Sequence, residues 1–448
     1  MEANQKFKTR HLKTSVLNNF HGDFCTPQAF LQTKSVSTDS RKIGSNSIYF
    51  ALSGERFNGN DFAIDALNNG ALYAVVDAIK YKDHPGCIYV ADALKALQAL
   101  GTYHRNFCKA KVISLTGSNG KTTTKELIYK VLSQKYNTSA TLGNLNNHIG
   151  VPLSLLNIKE GTEFAVIEMG ANHQKEIEFL CALAQPDFGC ITNFGKAHLE
   201  GFGGVQGVIK GKSELYQYLI ANNKTILYNN EDPIQAGALR QYDHSISFGK
   251  DQESTYTTSI LKSNTSVKIQ FQDTTINTSL YGAYNATNCM IAASIGRHFD
   301  VPIQDIKNAI ESYKPNNNRS ELRQIGPHML VLDAYNANPS SMEVAIKHFS
   351  ELSHSSLKNK IVVLGDMFEL GETAAKEHQA IVAQLKLSKI NRIILIGALF
   401  HNTQHSFESY PNFDAFKQKN SPFKSNPSLV LIKGSRGMAL ERVLPLLE

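Results

Sequence analysis

The sequence predicts an α/β protein built as three successive domains, and three observations carry that expectation. The chain has 448 residues, and at about 150 residues per domain that length fits three hydrophobic cores. Short apolar runs of strand type alternate with segments of helical period along the whole chain, the pattern of parallel strands joined by crossover helices. A polar stretch, YKPNNNRSE at 313–321, breaks that alternation with asparagines and a proline, which suit a linker better than a core element.

Taken in order, the runs SIYFAL and ALYAVV read as strands, and FAIDALNNG and ALKALQALGTYHRNF as helices. They predict a small α/β domain over 1–107. From Lys111 the runs VISL, FAVIEM and FGCITNF are separated by helical segments, which predicts a parallel sheet in a central domain over 108–313. Residues 251–282 alternate polar with β-branched side chains, the signature of antiparallel hairpins appended to that domain with one face to solvent. Beyond 314, MLVLDAY, KIVVLGDM, RIILIG and SLVLIKG flank helices such as SSMEVAIKHFSEL. The third domain, 314–448, is therefore expected to be doubly wound and Rossmann-like.

Composition narrows the function classes. Hydrophobic residues at 42% and charged residues at 19% leave little room for a long disordered arm. The net charge of +7 is spread with no block of five basic residues, so it suits anionic small molecules rather than a nucleic-acid track. Six cysteines, at 25, 87, 108, 181, 190 and 289, form no Cys-x-x-Cys and read as reduced thiols. The first residues, MEANQKFKTRHLK, lack an apolar leader, and no run approaches 18 apolar residues. The expectation is a soluble, cytoplasmic monomer without membrane insertion.

The chemistry concentrates in TGSNGKTTTKELIYKVL, which follows the strand VISL directly. Gly117 and Gly120 permit a tight backbone path, so the amides of Ser118, Asn119 and Gly120 can point at phosphate ahead of a helix beginning near Lys121. Lys121 can reach the β- and γ-phosphates of ATP, and the hydroxyls of Thr122 and Thr123 stand at the helix start, Thr122 placed to ligate Mg2+. Leu115 stands where the general pattern has its first glycine, so only the second half of that pattern is met. The central domain is thus expected to be a P-loop mononucleotide-binding sheet. Glu168, at the end of FAVIE, is the carboxylate placed to meet a magnesium ion.

Eight motifs, TGSNGKTTTK, GNLNNHIGVP, EMGANH, NFGKAHLEGFGG, YGAYNATN, LDAYNANPSSM, LGDMFELG and KGSRG, occur in the order seen in the Mur ligases. The chain resembles that family from STDSR at 37 to KGSRG at 433. Within it, DAYNANPSSM, GDMFELGE, STDSR and NLNNHIGVP resemble the member that adds D-alanyl-D-alanine to UDP-N-acetylmuramoyl-tripeptide in peptidoglycan synthesis. The resemblance implies an ATP- and Mg2+-dependent amide ligase working through an acyl phosphate. It makes Lys121 a phosphate binder, Thr122 and Glu168 ligands of one magnesium ion, and His198 a ligand of a second. It makes Lys212, fourteen residues after His198, a carbamylated metal ligand, where the residues alone give a solvated helix lysine. Asn285 and Asn288 become adenine-side residues, and Arg319 and Asp333 reach phosphate and ribose from the third domain. Alone, Asn288 is a helix cap, Arg319 a linker charge and Asp333 a strand end at a turn. Asp39, Ser40 and Arg41 in STDSR, with Asn144, Asn146 and Asn147, are implied to hold the UDP substrate.

Two positions depart from the family pattern. His148 replaces a glutamate of the central motif, and Phe57-Asn58-Gly59-Asn60-Asp61 replaces an Asp-Gly-His type sequence, so contacts at those places are not carried over. Two other readings stay open. One is an amide ligase on the same scaffold using glutamate or a diamino acid, and the other is a nucleotide-sensing module without ligation.

Overall fold

The computed structural model describes residues 25–263, 266–315, 317–354, 356–419 and 426–447. The MEANQKFKTRHLK stretch, the side chain of Cys25 and linker residue Asn316 lie outside the described residues. The chain divides into two compact units, residues 1–108 with 152–159, and residues 109–151 with 160–448.

In the first unit four short parallel strands form one sheet, spatially in the order Ser35–Ser37, Ser47–Phe50, Ala71–Val76 and Cys87–Tyr89. Its core is small, with Tyr49, Ala51, Ala63, Ala66, Ala74 and Val76 buried together. The helix Ala93–Cys108 buries Ala93, Leu97, Leu100 and His104, the i, i+4, i+7 spacing that places side chains on one face.

The second unit contains two large sheets. The first has nine strands, and the parallel strand Lys111–Thr116 lies between Phe164–Glu168 and Phe188–Ile191. From Lys111–Thr116 the chain goes to the edge strand Thr138–Ala140, returns as Phe164–Glu168, and crosses over as Phe188–Ile191. That reversal creates the crevice at the carboxyl ends of strands where open α/β sheets bind ligands. The 251–282 segment forms two antiparallel pairings, Tyr256–Leu261 with Lys268–Phe271 and then Thr274–Asn277, and continues the same sheet. Ile269, Phe271 and Ile276 are buried while their neighbours are partly or wholly exposed, as the alternation requires.

The other sheet has six strands, five parallel and one antiparallel edge strand, Glu321–Ile325. Val363, Ile394, Ile396, Val430 and Ile432 fill its core, near-continuous apolar runs as expected of strands covered on both faces. The α/β class with parallel sheets is thus the observed fold. No helix among the described residues is long and apolar enough to cross a membrane.

Candidate functional site

The strand Lys111–Thr116 ends in the glycine loop, and the helix Lys121–Leu132 starts with Gly120 as its N-cap. Gly117 has φ +147° and Gly120 φ +79°, a region that L side chains rarely adopt. A Cβ at Gly117 would stand 1.9 Å from Thr192 Oγ1, and one at Gly120 2.5 Å from Asn288 Oδ1. Both glycines are therefore required by close packing as well as by backbone angle.

The loop is held from outside. Ser118 N–H donates to the Asn193 carbonyl at 3.0 Å, and Asn119 N–H to Asn193 Oδ1 at 3.1 Å. Thr192 Oγ1 and Asn193 Nδ2 donate to the Asn119 carbonyl at 2.6 and 3.0 Å. Asn338 Nδ2 donates to Asn119 Oδ1 at 2.7 Å. Lys121 Nζ folds back on the Gly117 carbonyl at 2.7 Å, and burial pushes its ammonium down to about 8, with Glu168 opposing and Arg319 adding to that effect.

A cavity of about 1040 Å³ opens over this loop. Ser118 to Thr123, Glu168 and His198 line it from one sheet, and Arg319, Asp333, Asn336, Asn338 and Lys433 from the other. Glu168 is 1% exposed, placed beside the loop because it pairs with Leu115 in register. Its Oε1 accepts from Thr122 Oγ1 at 3.2 Å and from Asn146 Nδ2 at 2.8 Å. Its Oε2 is buried with no hydrogen-bond partner among the described residues. An unpartnered buried carboxylate oxygen beside a threonine hydroxyl is a hard-oxygen donor set that suits Mg2+. Among the described residues no cluster of three His, Cys, Asp or Glu side chains has metal-ligand spacing.

His198 has φ +53°, and its Nδ1 lies 2.5 Å from Glu369 Oε2. The His198 ring beside it holds the Glu369 carboxyl below the usual range. The residue-level reading of Lys212 as a solvated lysine is overturned, since Lys212 is 0% exposed. The helix Val205–Ala221 turns it inward, where Nζ donates to the Ala171 carbonyl at 3.0 Å and lies over the Phe202 ring. Burial drives its amine well below the ordinary lysine value. Lys212 therefore reaches the segment three residues beyond Glu168, although it is not part of the cavity wall.

The structure brings Ser118, Asn119, Gly120, Lys121, Thr122, Thr123, Asn144, Asn146, Asn147, Asn285, Arg319 and Asp333 onto one wall. Gly117 and Asn288 lie behind it. Asn288 is 2% exposed, within the helix Tyr284–His298 rather than at its cap, and it donates to Asn285 Oδ1 at 2.8 Å. Arg319 stacks on Tyr335, with Cζ 3.6 Å from the ring centroid, and its Nε has no hydrogen-bond partner among the described residues. Asp39 and Arg41 belong to the first unit, where they form a bidentate pair at 2.8 and 3.0 Å. The arginine holds the Asp39 carboxyl at about 2.

Known proteins resemble the chain over nearly its whole length. Residues 32–101 match the model described as Mur ligase family, catalytic domain; residues 115–296 the Mur ligase middle domain; and residues 318–436 the Mur ligase, glutamate ligase domain. The chain is 33% identical over 422 residues to the UDP-N-acetylmuramoyl-tripeptide--D-alanyl-D-alanine ligase of Bacillus subtilis, covering 91% of this chain and 92% of that one. The chain belongs to the Mur ligase family. The Escherichia coli ligase of the same name is 32% identical, with 92% and 93% covered. Among solved Mur ligase structures, MurF from Acinetobacter baumannii superposes with a TM-score of 0.81 at 29% identity over 94% of this chain and 97% of that one. The MurF ligase from Thermotoga maritima in complex with ADP superposes with a TM-score of 0.80 at 26% identity over 93% and 97%.

Several residues that shape this Mur ligase cavity carry no assignment from sequence reasoning. Lys433 is 2% exposed and pairs with Asp333 at 2.6 Å, because the two close adjacent strands in register. Asn193, Asn336 and Asn338 also follow strand ends. Polar residues at the ends of parallel strands, or within a few residues beyond them, are the signal that would have found all four.

Proposed function

We propose that this chain is an ATP-dependent amide ligase that adds D-alanyl-D-alanine to UDP-N-acetylmuramoyl-tripeptide in peptidoglycan precursor synthesis. The observation that carries the reading is the single cavity in which the glycine loop and Glu168 face Arg319 and Asp333. Joining a carboxylate to an amine is uphill in water, so the carboxylate must first be activated. It attacks the γ-phosphate of ATP in line, giving an acyl phosphate and ADP; the dipeptide amine then attacks the acyl carbon and expels phosphate.

No protein nucleophile is needed, and the chain's own groups act by positioning and by charge. Loop amides and Lys121 bind the phosphates, and Arg319, fixed by its stack on Tyr335, brings a second cation to the same wall. Asp333 and Asn285 take the nucleoside end. Thr122 and Glu168 would hold one Mg2+, and His198 with carbamylated Lys212 a second. When bound, the metal neutralises charge where two anions must meet. Burial disfavours the charged form of the Lys212 amine, which supports carbamylation, because it is the uncharged amine that can add carbon dioxide and release a proton. We further propose three functional domains, 1–107 for the UDP end through Asp39, Ser40 and Arg41, 108–313 for ATP, and 314–448 for closure and the dipeptide. Asn144, Asn146 and Asn147 extend the substrate site, and the enzyme is read as a cytoplasmic monomer.

The test is to incubate the protein with ATP, Mg2+, D-alanyl-D-alanine and each UDP-muramyl tripeptide, and to identify the product by mass. A product heavier by the dipeptide less water is expected. Phosphate release only with glutamate or a diamino acid would sink this reading in favour of another amide ligase.

A further inference from the structure

The segment from Thr192 to His198 faces two ways. On one side Thr192 and Asn193 hold the Asn119 carbonyl, and the Gly195 carbonyl accepts from Ser118 Oγ at 2.8 Å. On the other side Lys196 N–H donates to Ser340 Oγ at 2.7 Å. The Lys196 ammonium reaches both oxygens of Glu377, at 3.1 and 3.2 Å. Ser340 lies in the helix Pro339–Glu351 and Glu377 in the helix Ala374–Lys386, both packed on the six-stranded sheet side of the unit. Gly195 sits between the layers. A Cβ there would stand 2.9 Å from Asn119 Nδ2 and 3.2 Å from Ser340 Cβ, so a methyl group would push on the Asn119 amide and on Ser340.

Glu377 is 8% exposed and stands in the first turn of its helix, where the amide ends favour a negative charge. The Lys196 side chain that meets it is 47% exposed, so loss of the lysine leaves the nearly buried carboxylate without that cation partner. The two residues are 181 positions apart and join elements whose cores close without them. The pair therefore lies outside both core clusters and bridges the elements that carry them.

We propose that Lys196 and Glu377 are a positioning pair that seats the C-terminal sheet on the phosphate loop, bringing Arg319, Asp333 and Asn338 to the nucleotide. Neither touches the reacting atoms. The inference rests on the ligase reading and deepens it.

A charge-swap cycle tests it, with Lys196→Glu, Glu377→Lys, the double variant, and Lys196→Ala as a milder change should a reversal fail to fold. Each single variant is expected to lower kcat/KM by about tenfold or more, mainly through KM, with Tm within a few degrees of wild type. The double variant should recover to within about threefold of wild type, a rescue that a merely structural role would not produce. ADP affinity, read without ligation, should fall in the singles and return in the double. Gly195→Ala should weaken both readouts with no change in charge. Singles at wild-type kcat/KM and ADP affinity, or a double no better than the worse single, would overturn the proposal. A wild type that binds ADP but ligates nothing would count against the ligase reading instead, and the ADP cycle would still decide the pair.

Discussion

Methionine in place of Lys121 keeps the length and apolar stem of the side chain and removes its charge, which separates two quantities that usually fall together. Burial lowers the ammonium from 10.5 to about 8, with Glu168 opposing and Arg319 adding, which at ~1.36 kcal/mol per decade is a net cost of about 3 kcal/mol to the charged form at neutral pH. Against this, Nζ donates to the Gly117 and Ser118 carbonyls at 2.7 and 3.4 Å, and their loss offsets roughly 1–2 kcal/mol. The net expectation is a more stable apo protein by about 1–2 kcal/mol, a rise of ~2–8 °C in Tm. Turnover should move the opposite way. The charge that is costly in the apo protein is the one the phosphates need, so Lys121→Met should lower kcat by about 10³-fold or more, some 4 kcal/mol of transition-state stabilisation. Differential scanning calorimetry and a phosphate-release assay on the same preparation read both numbers. Near-wild-type ligation, or a Tm that falls by several degrees, would refute the reasoning about this loop.

Four further outcomes are expected. His378 donates Nδ1–H to the Ala374 carbonyl at 2.7 Å and accepts Met367 N–H at Nε2, and burial lowers it below 6.5 despite Asp366 and Glu377 nearby. The unfolded chain therefore binds the proton more readily, so stability should be lost as pH falls below 6.5, and the urea midpoint of His378→Gln should be flatter with pH. Asn338→Ala removes the capping box of Pro339–Glu351 and the bond to Asn119, and a loss of about 1–2 kcal/mol is expected in urea titration together with a higher KM for ATP. Carbon-13 NMR with labelled bicarbonate should show a carbamate signal that disappears in Lys212→Met; its persistence would remove Lys212 from the site. Small-angle scattering should show smaller dimensions when nucleotide and muramyl substrate are added, since the wall is shared by two sheets; identical curves would count against closure.

Much of this was legible from one sequence because the signals are local. The phosphate loop is a strand, a turn needing positive φ and a helix start, and all three are written in residues 111–132. Lys121, Thr122 and Glu168 follow from that turn and from the end of one neighbouring strand. Residues that act over distance were not legible in this way. Nothing in IKGKSELY marks Lys212 as fully buried; the packing of its helix against Ala171 and Phe202 does.

The sequence by itself determined the alternation of strands and helices, the glycine turn and the family, since each depends on neighbours within a few residues or on motif order. The tertiary structure alone decided that Asn288 supports the loop from behind, that Lys433 neutralises Asp333 across adjacent strands, and that Lys196 reaches Glu377. The physical reason is that strand order and register bring together side chains far apart along the chain.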